Sequence, residues 1–544
     1  MLKIHLKKLG TLGLAISLIA AGCTKILEDA YLNPNAPTKV PPETLLPQII
    51  SAMAANFAGQ GPLNDIRLIG RYTQTFAITG AFDNWERMGG PGNTGIGNTD
   101  LSGSLWRIHY FDLGQNVNRM MDWGAEDEQY AYVGIGNAIF AWSWLQLTDY
   151  HGPVILKEAF NTSQLTFNFD NEEEVYPYVR TLCHEAIRQL NRTDAKNDQA
   201  KLATADNYFY KGDLNKWKKF AYAVLARSFN HLSNKTIYNA DSVIAYVNLS
   251  MANNDDNATV KFENSGIGSD ANFFGPIRNN IGAYRQTAYI TNLMDGRNPH
   301  FLDVKDPRTS YMLRKNINGT YVGLNPTFGI AGIGIVNDRP GGLWGQASAV
   351  TVAPNDLNSR YIFRNDSEIP VITLSEVLFM KAEAAFRKND RALALSTYRE
   401  AISQNIDMLT SKYNQNIPDG EKITPASKAA FLADPKVVPT VEGLTLTHIM
   451  LQKYIAIYGW GAIETWVDLR RFHYTDTDPI TNEQVYRDFA IPAPERLHPD
   501  NNGKPVYRVR YRFNAEYVWN AEILRALGAF DIDWHTREVW FSKP

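Results

Sequence analysis

The stretch "SEVLFMKAEAAFRKNDRALALSTYREAISQNIDML" constrains the fold more than any other part of the chain. Ala382, Ala394 and Ala401 stand 12 and 7 residues apart, with Tyr398 between the last two and Lys388-Asn389-Asp390 in the middle. Apolar residues recur three and four apart on both sides of that polar tripeptide, the period of two amphipathic helices joined by a short turn. Small side chains let two antiparallel helices approach closely, and the tyrosine ring then fills the space to a neighbouring pair. One such hairpin cannot bury its apolar face alone, so it calls for more helical pairs. Ser375 is in place to cap the first helix, although Leu378 does not complete a capping box.

The remaining sequence supplies those pairs. "PPETLLPQIISAMAANF", residues 102–121, "EDEQYAYVGIGNAIFAWSWLQLTDYHG", and residues 172–190 and 214–232 all carry helical spacing. Trp106, Trp142, Trp144 and Trp466 lie in such stretches and read as core anchors rather than ligand platforms. Residues 253–365 behave differently, being rich in Asn, Gly, Asp and Pro with few periodic runs. Their Phe, Tyr and Trp content opposes disorder, so they read as a folded, loop-rich insertion with short strands. The expected fold is mainly α: an irregular tetratricopeptide-like helical-repeat scaffold carrying that insertion.

The N-terminus points to a surface address. Lys3, His5, Lys7 and Lys8 precede an apolar run of 13 residues, Leu9 to Ala21, too short to cross a bilayer as a mature helix. The run stops at Ala20-Ala21-Gly22-Cys23, the spacing of a lipoprotein cleavage site. Residues 1–22 are therefore expected to be a lipoprotein signal peptide, residues 23–42 a lipidated Cys23 with an extended tether, and residues 43–544 the folded domain. Several acyl chains hold a protein on a membrane surface without a spanning helix. A plain secreted chain with a chance cysteine is the alternative. Cys183 is the one other cysteine, so an acylated Cys23 leaves no internal disulfide, and Cys183 reads as a small buried hydrophobe.

Charge and motifs exclude several classes. Removing Lys3, Lys7 and Lys8 takes the formal charge from −3 to −6, which argues against a nucleic-acid partner. The glycine-rich loop Gly89 to Gly97 lacks the Lys-Ser/Thr ending of a phosphate loop. No HExxH motif occurs, "CHEAI" lacks further zinc ligands, and "NNDDN" at 253–257 lacks EF-hand spacing, so no metal ligand and no cofactor is assigned. Glu172-Glu173-Glu174 reads as a solvated helix start and Glu383 as an exposed helix residue. A helical glycoside hydrolase would need two carboxyl groups facing across a cleft, and the sequence singles out no such pair.

Several separated segments resemble one family. "LNPNAPT", "SLWRIHYFDLGQNVNRMM", "AWSWLQLTDYHGPVILKEAF", "GDLNKWKKFAYAVLARSFNHLS", "SEVLFMKAEAAF", "LQKYIAIYGWGAIETWVDLRRF" and "YRVRYRFNAEYVWNAEI" are similar, in order, to the SusD/RagB-like nutrient-binding outer-membrane lipoproteins of Bacteroidota. Arg512 departs from the pattern, since related chains commonly carry a proline after the tyrosine. The resemblance implies a non-catalytic protein that captures an oligosaccharide or oligopeptide and delivers it to a SusC-like TonB-dependent transporter. A helical hydrolase and a pure protein-interaction scaffold are the alternatives. Family motifs do not carry binding residues across, so cargo residues are read from the loops. Tyr321, Phe328 and Trp344 are the leading rings, Trp85 a further one, and Asn325, Asn337 and Gln346 the hydrogen-bonding partners.

Overall fold

The computed structural model describes residues 39–544, apart from 56–58, 60, 82–83, 93–96, 101–102, 269 and 347–350. Cys23, the signal segment and nearly all of the tether lie outside the described residues.

Helical pairs form the body. The first substantial helices are α1 (Pro62–Tyr72), α2 (Gly114–Glu126), α3 (Tyr130–His151) and α4 (Glu172–Leu190). They are followed by α5 (Leu214–Asn230), α6 (Ala240–Leu249), α7 (Leu374–Arg387), α8 (Arg391–Lys412), α9 (Leu446–Ala456) and α10 (Ala462–Arg471). α3 is apolar on every side and buried over nearly its whole length, as expected of a helix at the centre of a large domain. It packs on both α2 and α4. Two glycines make that possible: a Cβ at Gly134 would lie 2.5 Å from Leu190 Cγ, and one at Gly136 would lie 2.4 Å from Met121 Cγ. Contact then passes from α4 to α5, α5 to α6, α6 to α7 and α7 to α8. Among the described residues no helix is long and apolar enough to cross a membrane.

The alanine-spaced hairpin forms as its sequence predicts. α7 and α8 pack closely, Ala382, Ala394, Ala401 and Tyr398 are all fully buried, and Asp390 caps α8 by accepting from Leu393 N–H. Tyr398 Oη donates to the Val437 carbonyl at 2.7 Å. Trp106, Trp142, Trp144 and Trp466 are core residues, and Cys183 is buried. Three local expectations are corrected. α7 is capped by the Thr373 side chain, which accepts from Glu376 N–H, so Ser375 lies inside the helix. Glu383 is fully buried, because α7 turns this side toward Arg471 rather than solvent. Glu172 is buried too, its carboxylate accepting from Trp540 N–H, whereas Glu173 and Glu174 are exposed.

The insertion contains the expected short strands. β1 (Phe76–Ile78) pairs antiparallel with β3 (Tyr284–Gln286), and β2 (Ala258–Val260) pairs antiparallel with β4 (Ile369–Ile372). Each pair joins the insertion to a segment outside it.

A network of buried charges ties the helices together. Arg471 holds Glu383 through two bonds of 2.7 and 2.9 Å and Asp468 through one of 2.6 Å. Lys453 lies 2.8 Å from Asp468 and 3.1 Å from Glu464. His231 lies 2.9 Å from Asp149 and 3.1 Å from Glu464, and Arg227 pairs with Glu376. Burial opposes protonation of His231, but Glu464 and Asp149 outweigh it and raise the imidazole to about 9. Burial also pushes the Glu383 carboxyl up, yet the Arg471 and Arg387 guanidiniums more than offset this and leave it well below the usual range.

The chain's last part closes the body. Val506 N–H donates to Tyr72 Oη, Tyr507 N–H to the His535 carbonyl, Val509 N–H to the Tyr150 carbonyl and Arg510 N–H to the Met88 carbonyl, at 2.8, 2.8, 2.8 and 3.0 Å. Arg512, the position that departs from the family pattern, bonds Asp100 at 2.9 Å, and Asn514 N–H donates to the same carboxylate at 3.0 Å.

Candidate functional site

The loop-rich insertion presents one ring to solvent through backbone geometry. Thr327 and Gly329 have φ of +68° and +69°, so the chain kinks on both sides of Phe328 and leaves its side chain 50% exposed. Gly329 is needed there, since a Cβ would lie 2.8 Å from the Ala81 amide nitrogen. Ile330 N–H donates to the Thr79 carbonyl at 2.9 Å, and Leu324, Ile330 and Ala77 form a small separate core beneath the ledge. The Arg496 guanidinium stacks 4.1 Å from the Phe328 ring centroid and donates to the Thr327 carbonyl at 3.3 Å. Stacking of this kind favours one ring position before any ligand arrives.

The turn Asn84–Arg87, which contains Trp85, is tied to the same corner. Glu86 accepts from His498 N–H at 3.1 Å, two residues beyond Arg496. Segment 494–498 therefore bonds both the Trp85 turn and the Phe328 ledge. Asn325, three residues before Phe328, and Asn337 are exposed, with Ile335 and Val336 exposed as well.

Tyr321 stands apart, half-buried in the wall of a cleft of about 720 Å³ that Arg297, Lys305, Lys315 and Glu421 also line. Lys315 Nζ lies 5.4 Å from the Tyr321 ring centroid and 2.7 Å from Glu421. Burial, then the Glu421 charge, push the Tyr321 phenol up to about 12, so it stays a neutral donor at ordinary pH. This cleft offers a ring edge, two charge signs and hydroxyls, a set suited to hydroxyl- or amide-rich ligands.

Trp344 is corrected. It is 1% exposed, and its indole N–H donates to the Phe274 carbonyl at 2.9 Å. The glycines of "RPGGLWGQ" serve close packing: a Cβ at Gly342 would lie 2.4 Å from Val352 Cγ2. The ring anchors the insertion and has no free face to offer a ligand. Gln346 is half-buried, with its carbonyl accepting from Gly342 N–H at 3.2 Å.

Two features were missed in the sequence. Arg496 is one, because the cation that grips Phe328 lies 168 residues further on. The other is a groove of about 510 Å³ lined by Tyr110, Phe160, Leu165, Phe167 and Trp519. Trp519 is 62% exposed, Phe160 holds a φ of +64°, and two π-helical turns, Ile108–Leu113 and Phe513–Tyr517, border it. Such irregular backbone gathers at binding sites. A tryptophan beside a surface valine, "YVW", was the available signal. Among the described residues, no group of three or more His, Cys, Asp or Glu could hold a metal ion.

Comparison with known proteins identifies the fold. A SusD-like family described as "Starch-binding associating with outer membrane" matches residues 34–496. A SusD/RagB family protein from Bacteroides thetaiotaomicron shares 20% identity over 93% of this chain and 99% of its own, with a TM-score of 0.66. A SusD homolog from Bacteroides fragilis gives 17%, 93%, 100% and 0.67, and a chitin-binding SusD homolog from Flavobacterium johnsoniae gives 17%, 92%, 98% and 0.61. No curated protein matches the chain in sequence. At these identities the structures establish a shared fold, while the family match spans most of the chain. With its helical-pair scaffold, loop-rich insertion and that match together, the chain belongs to the SusD-like family of outer-membrane nutrient-binding proteins.

Proposed function

We propose that the protein captures oligosaccharides or oligopeptides at the cell surface and delivers them to a SusC-like TonB-dependent transporter. It is held at the membrane by acylated Cys23 and works without catalysis. The observation that carries the capture reading is the Phe328 ledge, a half-exposed ring pre-set by two left-handed residues and gripped by Arg496. A flat ring stacks on the C–H face of a sugar or on a peptide side chain, while Asn325 and Asn337 donate and accept hydrogen bonds. Tyr321 in its cleft extends the candidate surface, and Trp85, whose side chain lies outside the described residues, remains a proposed contributor. Where related chains are described by cargo, the cargo is a glycan: one is described as chitin-binding and the family as starch-binding.

The test begins with a screen of glycans and peptides by calorimetry. Phe328→Ala should then weaken the best ligand by roughly 2- to 10-fold, the worth of one aromatic contact, with an unchanged circular dichroism spectrum. Full affinity in both F328A and Y321A would remove the ledge and the cleft from the site. Loss in Trp519→Ala alone would move capture to the aromatic groove. Intact-mass measurement of detergent-extracted protein checks the anchor, and an unmodified Cys23 would refute it.

A further inference from the structure

A pocket of about 220 Å³ beside the start of α5 gathers lysines from four separate elements. Lys211 comes from the turn before α5, Lys216 from the first turn of α5, Lys261 from the residue after β2, and Lys412 from the end of α8. Each backbone is pinned. Asp206 accepts from Tyr210 N–H, Gly212 N–H and the Trp217 indole, which fixes the turn at Lys211. Asp213 caps α5 below Lys216, and Lys261 N–H donates to the Tyr208 carbonyl at 2.9 Å.

The charges do not balance. The lining includes four lysines against two acidic residues, Asp255 and Glu368. Glu368 lies 3.6 Å from Lys412 and also accepts from the Thr259 hydroxyl at 3.0 Å. Lys211, Lys216 and Lys261 make no ion pair among the described residues. Lys261 is half-buried, and burial lowers its pKa against the opposing pull of Glu368, with smaller contributions from Lys211, Lys412 and Lys216. For the half-buried Lys261, burial and three neighbouring lysines are together an electrostatic cost. An anion in the recess removes it.

The excess of two positive charges matches a dianion better than a carboxylate or chloride. Lysines carried by four separate elements line it, and lysine binds the oxygens of a tetrahedral oxyanion as a point charge. The volume equals about seven waters at ~30 Å³ each, more than a bare oxyanion fills, which leaves room for an attached carbon. We propose that this pocket binds a dianionic tetrahedral oxyanion, phosphate or sulfate, either as the free ion or as the ester group of a sugar. This site lies on different elements from the Phe328 ledge, the Tyr321 cleft and the Trp519 groove, so its success or failure is independent of theirs.

The experiment is calorimetry on the purified full chain with inorganic phosphate and with sulfate, at constant ionic strength set by chloride. Saturable 1:1 binding of one or both is expected. Lys261→Met should weaken it about tenfold, the loss of one charge-assisted contact. The double variant K211M/K216M, which changes only side chains at the pocket rim, should weaken it at least as much. Lys504→Met, at a distant lysine, should change nothing, and thermal unfolding verifies that every variant is folded. Glucose 6-phosphate and glucose 6-sulfate distinguish the sources: tighter binding than the inorganic ion assigns the ester, and weaker binding assigns the free ion. Absence of binding in the wild type, affinity unchanged in K261M and in K211M/K216M, or chloride competing as well as phosphate would overturn the proposal.

Discussion

Replacing Arg471 by methionine tests whether the buried charge network holds the helices together. The guanidinium is wholly buried and makes two bonds to Glu383 and one to Asp468, at 2.7, 2.9 and 2.6 Å. In R471M, Glu383 would keep Arg387 at 2.9 Å and Asn230 at 3.1 Å, and Asp468 would keep Lys453 at 2.8 Å. Breaking a buried pair by removing one partner costs about 3–5 kcal/mol, and these remaining partners place the loss near the lower end, about 3 kcal/mol. An unfolding entropy of ~2.1 cal/mol/K per residue over roughly 500 residues is about 1 kcal/mol/K, so Tm should fall about 3 °C. Differential scanning calorimetry reads this directly. The double variant E383M/R471M removes both charges, and because no lone Glu383 remains it should lose less than the two single variants summed, by ~0.5–3 kcal/mol. A Tm within 1 °C of wild type for R471M, or strict additivity in the double variant, would refute the claim that these charges act as a unit.

Three further outcomes follow from the same structure. His231, raised to about 9 from its ordinary 6.5 by Glu464 and Asp149 against burial, contributes about 3 kcal/mol that is fully present below pH 6.5 and lost as pH rises through 9. Wild-type Tm should therefore fall more steeply than that of His231→Gln between pH 7 and 10, and parallel curves would refute the assignment. Trp344→Ala should destabilise by about 3–5 kcal/mol, read by thermal unfolding, and a stable W344A would contradict its role as an anchor. Ala394→Leu should cost about 1–3 kcal/mol by overpacking the α7–α8 contact, and unchanged denaturant unfolding would show that the position has room.

Periodicity made the helices legible, because burial of one stripe is written every three or four residues. α4 and α5 begin and end close to the boundaries that spacing predicts, and the alanines of the α7–α8 hairpin meet as expected. Partners distant in sequence were illegible. Glu383 read as exposed because nothing near it announces Arg471, 88 residues later. Trp344 read as projecting because glycines permit exposed turns and close packing alike, and only the position of Val352 and the Phe274 carbonyl decides between them. Ser375 lost the cap to Thr373 for a smaller reason, a shift of two residues in where the helix starts. The ledge lay between these cases: glycine-rich sequence identified the loop around Phe328, whereas its grip by Arg496 needed the fold.

The route of residues 506–510 sets a timetable for the chain. Those residues join Tyr72, Met88 and Tyr150, the oldest parts of the polypeptide by order of synthesis, to His535 near its end. Loop closure over more than 300 residues must occur before these bonds return any stability. A growing chain therefore carries the ends of α1 and α3 without these partners until residues 506–510 have emerged. During that interval the molecule depends on slow aggregation or on protection by other proteins. A stop codon before residue 506 would leave an open, adhesive intermediate rather than a shorter version of the folded protein.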